Sequence, residues 1–298
     1  MARNRPRRAV IFLLFRPMSF IVSALPIRIG LMLGQALGGL SFYILKKERE
    51  RALRNLDIAF GPSKSSAEKR GIAKKVFENL GKSFVEIVSI QKFNKNNINK
   101  YISCGNIDIL RRFVRDGKGA IILSAHFGNW ELLAHYLSMQ GLPLNVIARR
   151  VRMDWLEAFL SRIRKKNNVN VIYRDASAKE IVDLLRKKEF VGIMPDQDMD
   201  SVSGVFVDFF GKSAWTPNGA AILNYLTGVD IVPCFIARRP FGHEFFAGAP
   251  IEPAKTGDRE KDILENTGRY TKVIEDYIRR FPEQWVWFHD RWKTKNGK

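Results

Sequence analysis

The chain has 298 residues, enough for one large domain or two small ones with a substantial core. Its 50 Lys+Arg against 30 Asp+Glu leave a formal net charge of +20, which calls for an anionic partner: nucleic acid, acidic lipid headgroups or an acidic carrier protein. Cys104 and Cys234 form neither a CxxC pair nor a zinc spacing, which argues against a disulfide framework or a structural metal and for a reducing compartment.

At the N-terminus, Arg3, Arg5, Arg7 and Arg8 precede a long apolar tract over 9–45, interrupted by Arg16, Pro17, Pro26 and Arg28. A basic cluster of Lys46, Lys47, Arg49, Arg51 and Arg54 follows. No small-residue cleavage site closes a compact apolar core, as it would in a signal peptide. The stretch 29–45 is near the lower limit for a spanning helix. Its glycines Gly30, Gly34, Gly38 and Gly39 suit close helix packing. Basic residues on both flanks conflict with a single crossing. A re-entrant or interfacial anchor satisfies both flanks; a buried soluble helix pair is the alternative. Residues 1–45 are therefore expected to form a membrane anchor and 46–298 the remaining domain, with Arg51 and Arg54 serving membrane or partner docking only.

Residues 46–60 read as a basic helix ended by Gly61-Pro62, and 63–66 as a short loop. An amphipathic helix over 67–91 places Ile72, Val76, Leu80, Phe84 and Val88 four apart, with lysines and glutamates elsewhere. A polar break covers 94–99. Strand patterns then fall at 120–124, 145–148, 170–173, 190–194 and 230–237. Helical patterns fall at 107–115, 132–139, 154–166, 178–188 and 217–226. For the helix at 217–226, Thr216 reads as the N-cap and Pro217 as the first helical residue. Residues 245–251 add an antiparallel strand, 263–280 a closing helix and 293–298 a frayed tail. Alternation at this spacing predicts an α/β fold with a mostly parallel sheet flanked by helices.

The chemistry concentrates in Ser124-Ala125-His126-Phe127-Gly128-Asn129-Trp130-Glu131. Within one regular helix His126 and Glu131 would point about 140° apart and could not meet. They can meet if His126 lies on a strand-to-helix turn, for which Gly128 and Asn129 are suitable residues, and Glu131 sits in the first helical turn. Glu131 would there complement the helix dipole, fix the imidazole tautomer and stabilise the imidazolium. A satisfied buried histidine near a helix carboxylate is the structural alternative. No GxSxG elbow, activated cysteine, P-loop or GxGxxG accompanies the pair. A base without a protein nucleophile fits activation of a substrate hydroxyl and direct transfer to it.

Pro195-Asp196-Gln197-Asp198 follows the strand at 190–194, so Asp196 and Gln197 come to the same sheet edge as His126. Their neighbourhood lacks a histidine close in sequence and the spacing of an EF-hand loop, which argues against a metal and for structural or substrate-positioning roles. Arg149, Arg150 and Arg152 follow the strand at 145–148; there they would stabilise a phosphate or developing oxyanion, or form a solvated basic turn. The aromatic run at 282–292 reads as core or membrane-interface packing. His135, His243 and His289 assemble no ligand pattern. Helix-turn-helix, RNP and zinc-finger signatures are lacking, so nucleic acid is not the expected partner.

Several segments, in order, resemble the bacterial lipid A biosynthesis acyltransferase family, the late lauroyl/myristoyl acyltransferases. They are ERALRNLDIAF at 50–60, SAHFGNWELLAHYL at 124–137, GIMPDQD at 192–198, VFVDFFGKSAWTPNGAAILNYLTGVDIVPCF at 205–235 and PEQWVWFHDRW at 282–292. With the N-terminal anchor, the resemblance covers nearly the whole chain. It implies a glycerolipid-acyltransferase-like fold and O-acyl transfer from acyl carrier protein, or acyl-coenzyme A, to an anionic lipid A precursor. The expected location is the bacterial inner membrane, with the catalytic domain on its cytoplasmic face and without a metal or cofactor. It implies His126 as base, Glu131 as its partner, and substrate contacts at Asn129, Arg149, Asp196 and Gln197. Asn167-Asn168 departs from the Gly-containing turn that family members often carry there. Competing readings are an acyltransferase for another acceptor, such as a mannosylated phosphoinositide or an aminolipid, and a catalytically silent membrane-surface protein.

Overall fold

The computed structural model describes residues 19–151, 153–173 and 178–295; the first 18 residues of the expected anchor lie outside them. Three helices open the fold: α1 (Ile27–Ile44), α2 (Lys46–Phe60) and α3 (Ser66–Val88). Ser65 and Glu68 cap α3 reciprocally, so the helix begins where its first turn can satisfy its own N–H groups. Along α1, Gly30 faces Val85, Gly34 faces Gly81 and Gly38 faces Phe77, an antiparallel packing at one-turn spacing. A Cβ at Gly34 would stand 2.6 Å from the Gly81 carbonyl oxygen, so only glycine permits this approach. By length and composition α1 could cross a membrane, yet its glycine face is docked on α3 while Met32, Leu33, Leu37, Leu40 and Ile44 remain exposed on the rest of its surface.

Basic helix α2 is bound to the other end of the chain. Asn55 is buried and donates through Nδ2 to the carbonyls of Trp287 and His289, 2.6 Å each. Arg51 pairs with Asp290 at 2.8 Å and donates to the Phe288 carbonyl. Arg51 is thus a structural tie, contrary to the expected docking-only role; Arg54 is exposed.

A seven-stranded sheet runs in the order β1-β9-β8-β2-β5-β3-β4. Its strands are β1 (Ile102–Cys104), β2 (Ala120–Leu123), β3 (Leu144–Ala148), β4 (Asn170–Tyr173), β5 (Phe190–Ile193), β8 (Ile231–Arg238) and β9 (His243–Ala247). Strands β8, β2, β5, β3 and β4 are mutually parallel. β9 returns antiparallel to β8, as expected from the sequence, although it starts and ends earlier than 245–251. The central strands are apolar on both faces because helices cover both. Ile121, Leu123 and Val191 face one side, in the same core cluster as the apolar residues of α2 and α3; Ala120, Ile122 and Phe190 belong to the cluster on the other. The covering helices α4 (Ile107–Arg115), α5 (Trp130–Met139), α6 (Asp154–Lys166), α7 (Ala178–Arg186), α8 (Gly219–Thr227) and α9 (Arg259–Arg280) fall within a few residues of their sequence patterns.

A hairpin of β6 (Gly204–Phe209) and β7 (Lys212–Pro217) was not foreseen. It turns through Phe210 and Gly211, both at positive φ. A phenylalanine there is uncommon. Its N–H donates to Glu275 at 2.7 Å, and its buried ring packs edge-on to Phe60 and Phe209. Thr216 and Pro217 belong to β7 rather than starting α8, whose N-cap is Asn218. The Thr216 hydroxyl instead accepts from Arg291. The tail from Lys293 is tethered as far as Thr294, which donates twice to Asp198; residues 296–298 lie outside the described ones.

Gly81→Val should wedge α1 away from α3 and destabilise the protein by about 1–3 kcal/mol, the usual range for overpacking. Gly71→Ala, on the exposed side of the same helix with nothing within 4 Å, is the control. It should leave stability unchanged or raise it by up to about 1 kcal/mol. Denaturant melts of the two variants check the assignment.

Candidate active site

Parallel pairing of β2 and β5 sets Leu123 beside Ile193. Continuing three residues past each strand brings His126 beside Asp196. The imidazole Nδ1 lies 2.9 Å from Asp196 Oδ1, and the His126 backbone N–H donates to Oδ2 at 2.9 Å. Trp285 Nε1 also donates to Oδ2, at 2.8 Å. With Asp196 ionised, Nδ1 carries the proton and Nε2 is left as acceptor.

Burial penalises the imidazolium, but the adjacent Asp196 charge and hydrogen bond outweigh it and hold His126 above its usual pKa. Burial works against the Asp196 carboxylate as well. His126 and the donated hydrogen bonds from Trp285 and the His126 backbone still keep it below the usual carboxylate range.

Glu131 therefore does not fix the imidazole by hydrogen bond, as the sequence reading expected. It sits in the first turn of α5 and accepts from Arg164 of α6 through Nε at 3.0 Å and through Nη2. Both side chains are largely buried. Trp130 stands edge-on to the imidazole, with ring centres 5.2 Å apart.

The His126 turn is compressed between elements. Gly128 has φ +58°, and a Cβ there would collide with the Ile236 carbonyl, so a larger residue is excluded on two counts. Its N–H donates to the Gln284 carbonyl, and Val286 N–H donates to the His126 carbonyl. Phe127 bridges to Trp285. Asn129 is buried, caps α5 by accepting from Leu132 N–H at 3.1 Å, and donates to Glu86 at 2.8 Å. The side chain expected to contact substrate is thus used within the fold.

His126, Trp130, Arg149, Gln197, His289 and Lys293 line a cavity of about 330 Å³. It adjoins a narrow apolar slot of about 70 Å³ between α5 and strands β3 and β5, lined by Leu133, Leu137, Leu144, Val146 and Gly192. Trp130, Ile147, Ala148, Arg164 and Met194 border both. Arg149 is exposed at the cavity and Gln197 half-buried in its wall. Arg150 instead stacks on Tyr173 at 3.7 Å, and Arg152 lies outside the described residues. Sequence reasoning missed Trp285, Arg164, His289 and Lys293. The aromatic run signalled that residues 282–292 are packed, but nothing in it pointed to Asp196. Among the described residues no group of three or more His, Cys, Asp or Glu side chains is placed to hold a metal ion.

The arrangement can take a proton from a hydroxyl placed in the cavity, beside a short apolar recess. A model of the bacterial lipid A biosynthesis acyltransferase family matches residues 2–294. The lipid A biosynthesis lauroyltransferase of Escherichia coli K12 is 28% identical over 279 residues, covering 93% of this chain and 89% of that protein. The lipid A biosynthesis palmitoleoyltransferase of the same organism is 27% identical over 274 residues, covering 91% and 87%. A phosphatidylinositol mannoside acyltransferase of Mycobacterium tuberculosis is 22% identical over 223 residues, covering 72% and 68%.

Asp196→Asn removes the charge that raises the His126 pKa, so His126 should titrate at lower pH than in the wild type. A histidine Cε1–H NMR titration checks the sign. An unchanged or higher pKa would mean that Asp196 does not control the ring.

Proposed function

Because the chain belongs to the bacterial lipid A biosynthesis acyltransferase family and is an acyltransferase, we propose that it moves a fatty acyl group from a carrier-protein thioester directly to a hydroxyl of a lipid A precursor. The observation that carries this reading is the Asp196–His126 pair opening on a polar cavity that adjoins an apolar slot. The first methylenes of the acyl chain fit the slot, with the thioester carbonyl at the cavity beside His126. The acceptor hydroxyl donates to His126 Nε2. As its oxygen attacks the carbonyl, the proton passes to Nε2, and Asp196 stabilises the resulting imidazolium. Collapse of the tetrahedral intermediate breaks the C–S bond, and His126 returns the proton to the leaving thiolate. Arg149 is an exposed cation at this wall suited to the developing oxyanion or to an acceptor phosphate. Glu131 contributes by fixing Arg164 in the shared wall of cavity and slot.

The acceptor lies in a membrane, and two features support action at its surface. Among the described residues, nothing covers the apolar face of α1, while its glycine face is held by α3. That arrangement suits a helix lying in the headgroup plane of the inner membrane's cytoplasmic leaflet. A net charge of +20 suits both anionic lipid and an acidic carrier protein.

With purified enzyme, acyl carrier protein thioester and a lipid A precursor, His126→Ala should lower kcat by about 10²–10⁴-fold, the usual contribution of general-base catalysis. Well-folded variant protein turning over within about threefold of wild type would reject His126 as the base. Failure of the wild type on the lipid A precursor, with activity on a mannosylated phosphoinositide, would move the acceptor assignment.

A further inference from the structure

Glu86 lies on α3, whose charged residues the sequence pattern assigns to solvent, yet it is fully buried. Arg238 donates to its two oxygens through Nη1 and Nη2, both at 2.7 Å. His243 Nε2 at 2.8 Å, Tyr101 Oη at 2.6 Å and Asn129 Nδ2 at 2.8 Å complete the set. Burial alone would favour the neutral acid, but Arg238 foremost, and then His243, keep the carboxyl well below its usual range. Burial lowers the His243 pKa, against the raising effect of the adjacent Glu86 charge. Arg238 is the permanent counter-charge among these partners. A buried ion pair is seldom more stable than apolar packing of the same volume, so stability alone is a weak reason for this cluster.

The hydrogen bonds close a ring around the His126 turn. Glu86 holds Asn129, the residue after Gly128. Gly128 N–H donates to the Gln284 carbonyl. The Gln284 side chain accepts from Arg238 N–H at 2.6 Å and donates to the Arg238 carbonyl at 2.9 Å. Arg238 returns to Glu86. Asn129 also caps α5, which carries Trp130 and Glu131, two residues lining the slot.

We propose that Glu86 is a positioning residue for acyl transfer, acting through Asn129 to set the turn that aims His126. This rests on His126 being the base, as argued above. Asn129 is well suited to separate positioning from folding, because its cap and its link to Glu86 use different atoms. Asn129→Ser keeps an oxygen that can cap α5 and gives up the reach to Glu86. Its kcat should fall by roughly 10–100-fold, the scale of an ångström-sized misplacement. KM for donor and acceptor should stay within about twofold, since neither touches Asn129, and the melting temperature should stay near that of wild type. Asn129→Asp sets a second carboxylate against Glu86 and should be more damaged. His126→Ala runs in the same assay. If it is inactive while Asn129→Ser keeps wild-type kcat, the positioning role is overturned. If His126→Ala is itself active, the general-base reading fails first.

Discussion

The Asp196 carboxylate is the interaction on which the site depends. It is buried, and its two oxygens take three N–H groups: one from the His126 ring, one from the His126 backbone and one from Trp285. A charge in that position is tolerable only because it is so fully hydrogen-bonded and faces an imidazole that can become positive. The same contacts fix where the ring lies and which nitrogen it offers to the cavity. The carboxylate can do this because β2 and β5 are parallel neighbours in register, so equal distances past their ends arrive at the same place.

The C-terminal segment is the second constraint. It places Trp285 on Asp196 and borrows its own support from the opposite end of the chain, where Asn55 and Arg51 of α2 hold its carbonyls and Asp290. Arg291, fully buried, ties it to the hairpin through Trp215 and Thr216; burial pulls its pKa down to about 10. The aromatic density of 282–292 therefore serves packing and site geometry together. The His126 turn is held from the strands, the C-terminal segment and α3 at once, a rigid support for the imidazole.

Much of the fold was legible because alternating apolar runs and 3.6-residue periods reflect burial on both sheet faces. The hairpin escaped because its turn uses Phe210 at positive φ, stabilised by Glu275 far along the chain, where a local reading looks for Asn-Gly or Asp-Gly. Thr216-Pro217 looked like a helix start because those residue types also suit a strand end whose hydroxyl meets Arg291. For the site, His126 and the sheet edge it shares with Asp196 could be read directly. Its partner could not. Sequence proximity favoured Glu131, whereas strand register, which no local pattern encodes, selected Asp196. Arg164, 33 residues beyond Glu131, left no signal of the ion pair that occupies that glutamate.

Nitrogen-15 NMR of histidine-labelled protein, with His126 assigned by comparison with His126→Ala, tests the central claim most directly. At a pH above the His126 pKa, the ring should be the Nδ1–H tautomer with Nε2 unprotonated, and Asp196→Asn should disturb that preference. A neutral ring carrying its proton on Nε2, in folded wild-type protein, would contradict the account, because that nitrogen could not then take a proton from an acceptor hydroxyl.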